Sequence, residues 1–169
     1  HNLEKAGAIL TVNTRNPETL NAFDDLGVAT APTPADAAAD ADIVIICVAN
    51  TEALENVLLG EDGVIDGMEE GTIVVDMGTT AIDATRRFAD AVEEAGGHWI
   101  DAPVSGGTHG AENGTLTIMV GAEEEDFQRV QRVFGVLGSR VTHVGEIGSG
   151  QIAKAANQMI VGITIGAIA

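Results

Sequence analysis

Ile43-Val44-Ile45-Ile46-Cys47-Val48 is a continuous apolar run of strand length, followed directly by Ala49-Asn50-Thr51. A strand with one wet face alternates apolar and polar residues, and this one does not. Its pattern fits a parallel strand buried on both faces under packed helices. The residues at its carboxyl end then lie where open α/β sheets bind ligands. Within the run, Cys47 reads as a small core residue and not as a nucleophile.

Working outward, the same grammar repeats. Residues 52–59 read as a short helix and 60–71 as an acidic loop. Residues 72–75 form a second buried strand, which ends at Asp76-Met77-Gly78-Thr79-Thr80. Residues 83–95 carry a helical period through Ala84, Phe88 and Val92 and stop at Gly96-Gly97. Residues 98–100 are a strand leading into Asp101-Ala102-Pro103-Val104-Ser105-Gly106-Gly107. Asn113-Gly114 is a turn dipeptide and residues 115–120 a strand. Phe127, Val130, Phe134 and Leu137 make one helical face, ended by Gly138, and residues 141–144 are a last short strand.

Upstream, Thr33 caps a small helix with Pro34 at its first position, ending near Asp40. Residues 28–29 are a short strand, and 17–27 a helix with Leu20, Phe23 and Leu26 inward. Residues 8–13 read as a buried strand, and residues 1–6 as the last turns of a helix closed by Gly7. Alternation of strand and helix over this length predicts a doubly wound α/β fold. The chain thus starts in the middle of a βαβ unit. A dinucleotide fold opens with a strand and a Gly-x-Gly-x-x-Gly turn, and neither is present.

A chain of 169 residues is the length of one ordinary domain. Hydrophobic content of 45% and a mean hydropathy of +0.18 fit a soluble globular chain, and no apolar run reaches bilayer length. The 26 acids against 8 bases give a net charge of -18, a surface that repels nucleic acid. So many acids and so few lysines would suit a high-salt interior, an expectation that equal stability and activity without molar salt would end. One cysteine excludes an internal disulfide, and with no visible signal peptide the expectation is the reducing cytoplasm. His109 and His143 share no metal-ligand spacing with other His or Cys, so no metal is expected.

Three stretches invite chemistry. In Gly148-Ser149-Gly150-Gln151-Ile152-Ala153-Lys154-Ala155-Ala156-Asn157-Gln158 a glycine-serine loop runs into an Ala-rich helix. Asn157 and Gln158, three and four residues beyond Lys154, share its face. The apolar continuation Met159-Ile160-Val161-Gly162-Ile163 reads as buried core. Lys154 is one of two lysines, and it either snorkels from a helix edge or does chemistry. Ser105-Gly106-Gly107, after a strand, offers a hydroxyl and unshielded amides that can hold a carboxylate, or it is an ordinary loop. At the end of the first strand stand Thr14 and Arg15 with no acid. There an acid selects the 2'-hydroxyl of NAD and an arginine the 2'-phosphate of NADP, so Arg15 favours NADP unless it is simply a solvated turn residue.

The lysine motif Gly-x-Gly-Gln-x-x-Lys-x-x-Asn-Gln resembles the catalytic helix of the β-hydroxyacid dehydrogenase family, which includes 3-hydroxyisobutyrate dehydrogenases and 2-hydroxy-3-oxopropionate reductases. The string 101–107 followed by Gly110-Ala111 and Gly114-Thr115-Leu116 is similar to the same family's substrate-binding signature, and the resemblance runs over essentially the whole chain. It implies a Rossmann-like NAD(P)-binding domain over residues 1–147, lacking its first strand and glycine-rich turn. Residues 148–169 would begin an inter-domain helix leading to an all-helical domain that mediates dimerisation. It implies hydride exchange between a nicotinamide and a small 3-hydroxy acid, with Lys154 as general acid and base. Ser105, Gly106, Gly107 and Asn157 would bind the substrate carboxylate or oxygen, and Val48, Ala49 and Thr79 would line the dinucleotide. The family usually carries Pro at the place of Ala49 and Ser at the place of Gly78. On this reading the chain alone does not turn over. The alternative is a non-catalytic nucleotide-binding module of the same fold.

Overall fold

The computed structural model of the chain describes residues 1–24 and 27–168. A short helix α1 (Asn2–Lys5) leads into a parallel pair of two-residue strands, β1 (Thr11–Val12) and β2 (Ala29–Thr30), with α2 (Pro17–Asp24) between them. The expected strand over residues 8–13 is thus much shorter. Ile9, which lies before the strand pair, is fully exposed. The expected inward Leu26 lies outside the described residues.

Thr33 caps α3 (Pro34–Ala38), its side chain accepting from the Asp36 amide. The apolar run becomes β3 (Ile43–Ile46), followed by α4 (Thr51–Leu59), whose cap is Asn50. Within the stretch read as an acidic loop lies a one-turn helix, α5 (Val64–Gly67), pinned by buried Val64. Its four residues are too few to show a period. Then come β4 (Ile73–Asp76), α6 (Ile82–Glu94) and β5 (His98–Asp101). β3, β4 and β5 pair in parallel, so that Ile46, Asp76 and Asp101 stand side by side at their carboxyl ends.

After β5 the pattern departs from simple alternation. Pro103 has no N–H to give a ladder, and the strand resumes as β6 (Val104–Ser105) before the short helix α7 (Gly107–Asn113). β7 (Leu116–Gly121) runs antiparallel to both β5 and β6, while β8 (Gly138–Gly145) pairs with it in parallel after α8 (Glu124–Leu137). Since β8 occupies one whole edge of β7, β5 and β6 share the other. The sheet is therefore parallel in its first half and mixed in its second. The chain closes in a long helix, α9 (Ser149–Ile168).

Two apolar layers explain the unbroken runs in the strands. Val74 and Trp99 face one side with Leu54, Leu58, Phe88 and Val92, while Ile73, Val75 and Ile100 face the other with Ile118, Val130 and Phe134. Truncating a fully buried aromatic such as Phe88 or Phe134 to Ala is expected to cost about 3–5 kcal/mol. One residue and one segment depart from the reading as core. Cys47 is exposed, because β3 is the last strand of its sheet and its outer edge carries no partner among the described residues. The apolar continuation of α9 is exposed as well, from Met159 at 65% to Ile163 at 73%, because no described element packs on it.

Candidate active site

The site is assembled where α9 begins. Gly148 and Gln151 donate their amides to Asp101, at 2.6 Å to Oδ1 and 2.9 Å to Oδ2. The carboxylate thus satisfies helix N-terminal donors that have no intrahelical partner, and the positive end of the helix dipole favours its charge. The approach is so close that a Cβ on Gly150 would lie 2.5 Å from the Met119 carbonyl oxygen and 2.7 Å from that of Asp101. Glycine is required there by space. Burial pushes the Asp101 carboxyl up to about 6, with the charge of Asp76 adding to the rise, against the opposing pull of the two amides.

Asp76, next to Asp101 on the neighbouring strand, is the second buried carboxylate. It accepts from the Gly78 amide at 2.8 Å, from Thr80 Oγ1 at 2.6 Å and from Gln151 Nε2 at 3.3 Å. Burial raises its pKa, against these bonds. Gln151 also accepts from the Thr80 amide at 3.1 Å and donates to the Gly78 carbonyl at 3.2 Å. Its side chain therefore ties the loop after β4, which contains Thr79, to the lysine helix. The spacing of the sequence singled out neither aspartate nor Gln151. The available signal was a pair of strands each ending in an acid, Asp76 and Asp101, together with a glutamine one turn before the lysine.

Lys154 follows Gln151 by one turn and is only 8% exposed. Its ammonium donates to the Val104 carbonyl at 2.9 Å and to Gln158 Oε1 at 3.0 Å. The amine thus sits against the backbone that runs straight into Ser105-Gly106-Gly107. Loss of solvent lowers its pKa from the usual lysine range. Asn157 bonds to Gln158 Oε1 at 3.3 Å and not to the lysine, so Gln158 is the joint between them.

The cradle itself is open to a ligand. Gly106 and Gly107 have φ of +137° and +62°, conformations that a side chain would strain. Among the described residues their amides and the Ser105 hydroxyl donate to no protein group. At the carboxyl ends of β3 and β4, Val48 is half-buried and Ala49 and Thr79 are exposed. These loops are tied by the Ala81 amide donating to Thr51 Oγ1 at 3.0 Å. A Cβ on Gly78 would stand 3.2 Å from the Val48 carbonyl and 3.0 Å from Asp76 Oδ1, so the two loops leave no room for one to spare. An open row of strand ends with exposed backbone fits a dinucleotide. Thr14 and Arg15 lie beyond β1; Arg15 is exposed, and among the described residues no hydrogen bond joins either to the lysine cluster.

Other singled-out groups have structural places. Although Cys47 is exposed as a residue, its thiol loses part of its solvent, and this, with the charge of Asp76, pushes its pKa up and disfavours a nucleophilic thiolate. His143 bonds the Ala122 carbonyl and Glu124, and His109 lies beside Asn113. Among the described residues no cluster of three or more His, Cys, Asp or Glu could hold a metal ion, and no helix is long and apolar enough to cross a membrane.

This chain is similar over 99% of its length, at 42% identity, to the 2-hydroxy-3-oxopropionate reductase of Escherichia coli strain K12, of which it spans 57%. Among solved structures it resembles the 3-hydroxyisobutyrate dehydrogenase of Mycobacterium tuberculosis with L-serine, with a TM-score of 0.90, 30% identity, and coverage of 95% of this chain and 54% of that one. It also resembles Psf3 in complex with NADP+ and 2-OPP, with a TM-score of 0.87, 29% identity, and coverage of 92% and 55%. The chain thus spans about half the length of the relatives it matches. With residues 1–145 matching the NAD-binding domain of 6-phosphogluconate dehydrogenase, on a sheet and lysine helix of this geometry, the chain belongs to that family.

Proposed function

We propose that this span is the NAD(P)-binding and proton-transferring part of an oxidoreductase that interconverts a small 3-hydroxy acid and its aldehyde acid. The observation that carries this reading is the Lys154 amine, buried and held 2.9 Å from the Val104 carbonyl at the mouth of the Ser105-Gly106-Gly107 turn. On this reading residues 1–147 hold the dinucleotide, and 148–169 begin a helix that leads to an all-helical dimerising domain. The span alone then does not turn over.

The bound dinucleotide would supply or accept the hydride. Lys154 supplies the matching proton. As an ammonium it has three N–H donors, two of which go to Val104 and Gln158, so the third is left for a substrate oxygen during reduction. As a neutral amine it keeps both bonds and turns a lone pair to the same place, which suits the base of the oxidation. Desolvation lowers the pKa and so favours this second state. Ser105 and the Gly106 and Gly107 amides bind the substrate carboxylate, and Asn157 orients its oxygen through the shared Gln158.

Val48, Ala49 and Thr79 line the dinucleotide, and exposed Arg15 at the end of β1, with no acid beside Thr14, favours NADP over NAD. A substrate panel run with both cofactors tests the assignment. In the full-length protein, Lys154→Ala is expected to lower NADPH-dependent reduction about 10²–10⁴-fold with cofactor binding retained. Unchanged turnover removes Lys154 from the reaction, whereas dinucleotide binding by the unsubstituted full-length protein without reduction of any substrate in the panel favours a non-catalytic nucleotide-binding module.

A further inference from the structure

Proton transfer by Lys154 makes no direct use of Asp76, Asp101 or Gln151, yet all three are buried within the same cluster. Burying carboxylates is costly, and neither aspartate is ion-paired with a base among the described residues. Their hydrogen bonds show what they hold. Asp101 grips the backbone of the first turn of α9 at Gly148 and Gln151. Asp76 reaches the same turn through the Gln151 side chain, which also clasps Gly78 and Thr80. Gln151 is thus gripped by its backbone from one strand end and by its amide from the other.

We propose that Asp101, and Asp76 acting through Gln151, are positioning residues that lock the first turn of α9 to the strand ends and to the loop 78–80, and so fix the Lys154 amine against the Val104 carbonyl. The proposal rests on the reading of Lys154 as the proton carrier. The lock is tight because Gly121 and Gly150 bring the helix against the carboxylate. A Cβ on Gly121 would meet Asp101 Oδ1 at 2.5 Å, and one on Gly150 would meet Asp101 Oδ2 at 2.8 Å. The lysine lies one turn beyond the gripped residues, so a slide or rotation of that turn carries its side chain with it.

Asp101→Asn replaces one acceptor by an N–H that faces a helix amide, and Gln151→Met keeps the side-chain volume while removing its bonds. Both are made in the full-length enzyme and checked for folding by circular dichroism. The direct readout is acylation of Lys154 by a water-soluble active ester, measured by mass spectrometry against exposed Lys5 as internal reference. We expect the Lys154-to-Lys5 labelling ratio to rise at least threefold in each variant. We also expect kcat to fall at least tenfold with substrate KM changed less than threefold, and the basic limb of the pH profile to move upward. An unchanged ratio in a folded variant overturns the proposal. Should Asp101→Asn not fold, Gln151→Met decides it alone by the same criterion. The labelling ratio reports position whether or not Lys154 carries the proton, whereas Lys154→Ala tests the carrier alone.

Discussion

The two halves of α9 make opposite use of one helix. In the first half Gly150, Gln151 and Lys154 are buried, although two of these three are polar. In the second, Met159, Ile160, Ile163 and Ile165 are exposed, although all four are apolar. Hydropathy would assign the halves the other way round. What separates them is partners: the first half rests on strand ends that offer two carboxylates and room for a bare backbone. The second leaves the sheet behind, and no described element meets it. Burial of a polar side chain follows where hydrogen-bond partners await it, and an apolar stripe is buried only where a surface arrives to cover it.

One substitution type, made in each half, breaks or sharpens this contrast. Gly150→Ala drives a methyl into the Met119 carbonyl and Asp101, and is expected to destabilise the fold by about 3 kcal/mol, lowering Tm by about 10 °C. A near-neutral outcome by thermal melting would mean that the helix start is not close-packed on the strands.

The pH dependence isolates the carboxylate beneath that same first half. Asp101 holds its proton up to about 6 in the folded chain, against 3.8 when unfolded. Between those values the native state binds the extra proton. Its contribution to stability is therefore full below 3.8, is lost as pH rises through 6, and stays flat above. The contribution is of order 3 kcal/mol. Urea titrations at pH 4, 5, 6 and 7 should show this slope, and Asp101→Asn should flatten it; equal slopes in both proteins would mean that the carboxyl is not desolvated.

The smallest effect belongs to the second half. At Gly162 a Cβ would meet nothing within 4 Å, so Gly162→Ala should stabilise by about 0.5–1 kcal/mol through helix propensity alone. A loss of stability in urea titration would reveal a neighbour packed against that face.

The parts of the candidate site that the sequence offered are those whose motifs are local. Lys154, Asn157 and Gln158 fall on one face by helical spacing, and Ser105-Gly106-Gly107 is a contiguous turn. Residues whose role depends on what lies across the fold were not legible. Asp101 meets Gln151 from 50 positions away, and Asp76 meets it from 75. Neither pairing leaves a local periodic trace. Likewise α5 and α7 carry too few turns to show a period, and the antiparallel entry of β7 follows from its pairing with β5 and β6, which strand propensity does not encode. Cys47 was misread because an apolar run says that a strand is fit for burial, and only its neighbours say whether both edges are filled.

The alternation of strand and helix from β3 to β5, the buried faces of α6 and α8 and the presence of the helix that carries the lysine were set by the sequence itself, through periodicities of two and 3.6 that act over a few residues. Which buried charges are tolerated, where α9 passes from covered to bare, and how the amine is held were decided only by the tertiary structure. These depend on the distance between groups far apart in the chain. A carboxylate such as Asp101 becomes a helix anchor only when a glycine on another element lets the backbone come within hydrogen-bonding reach.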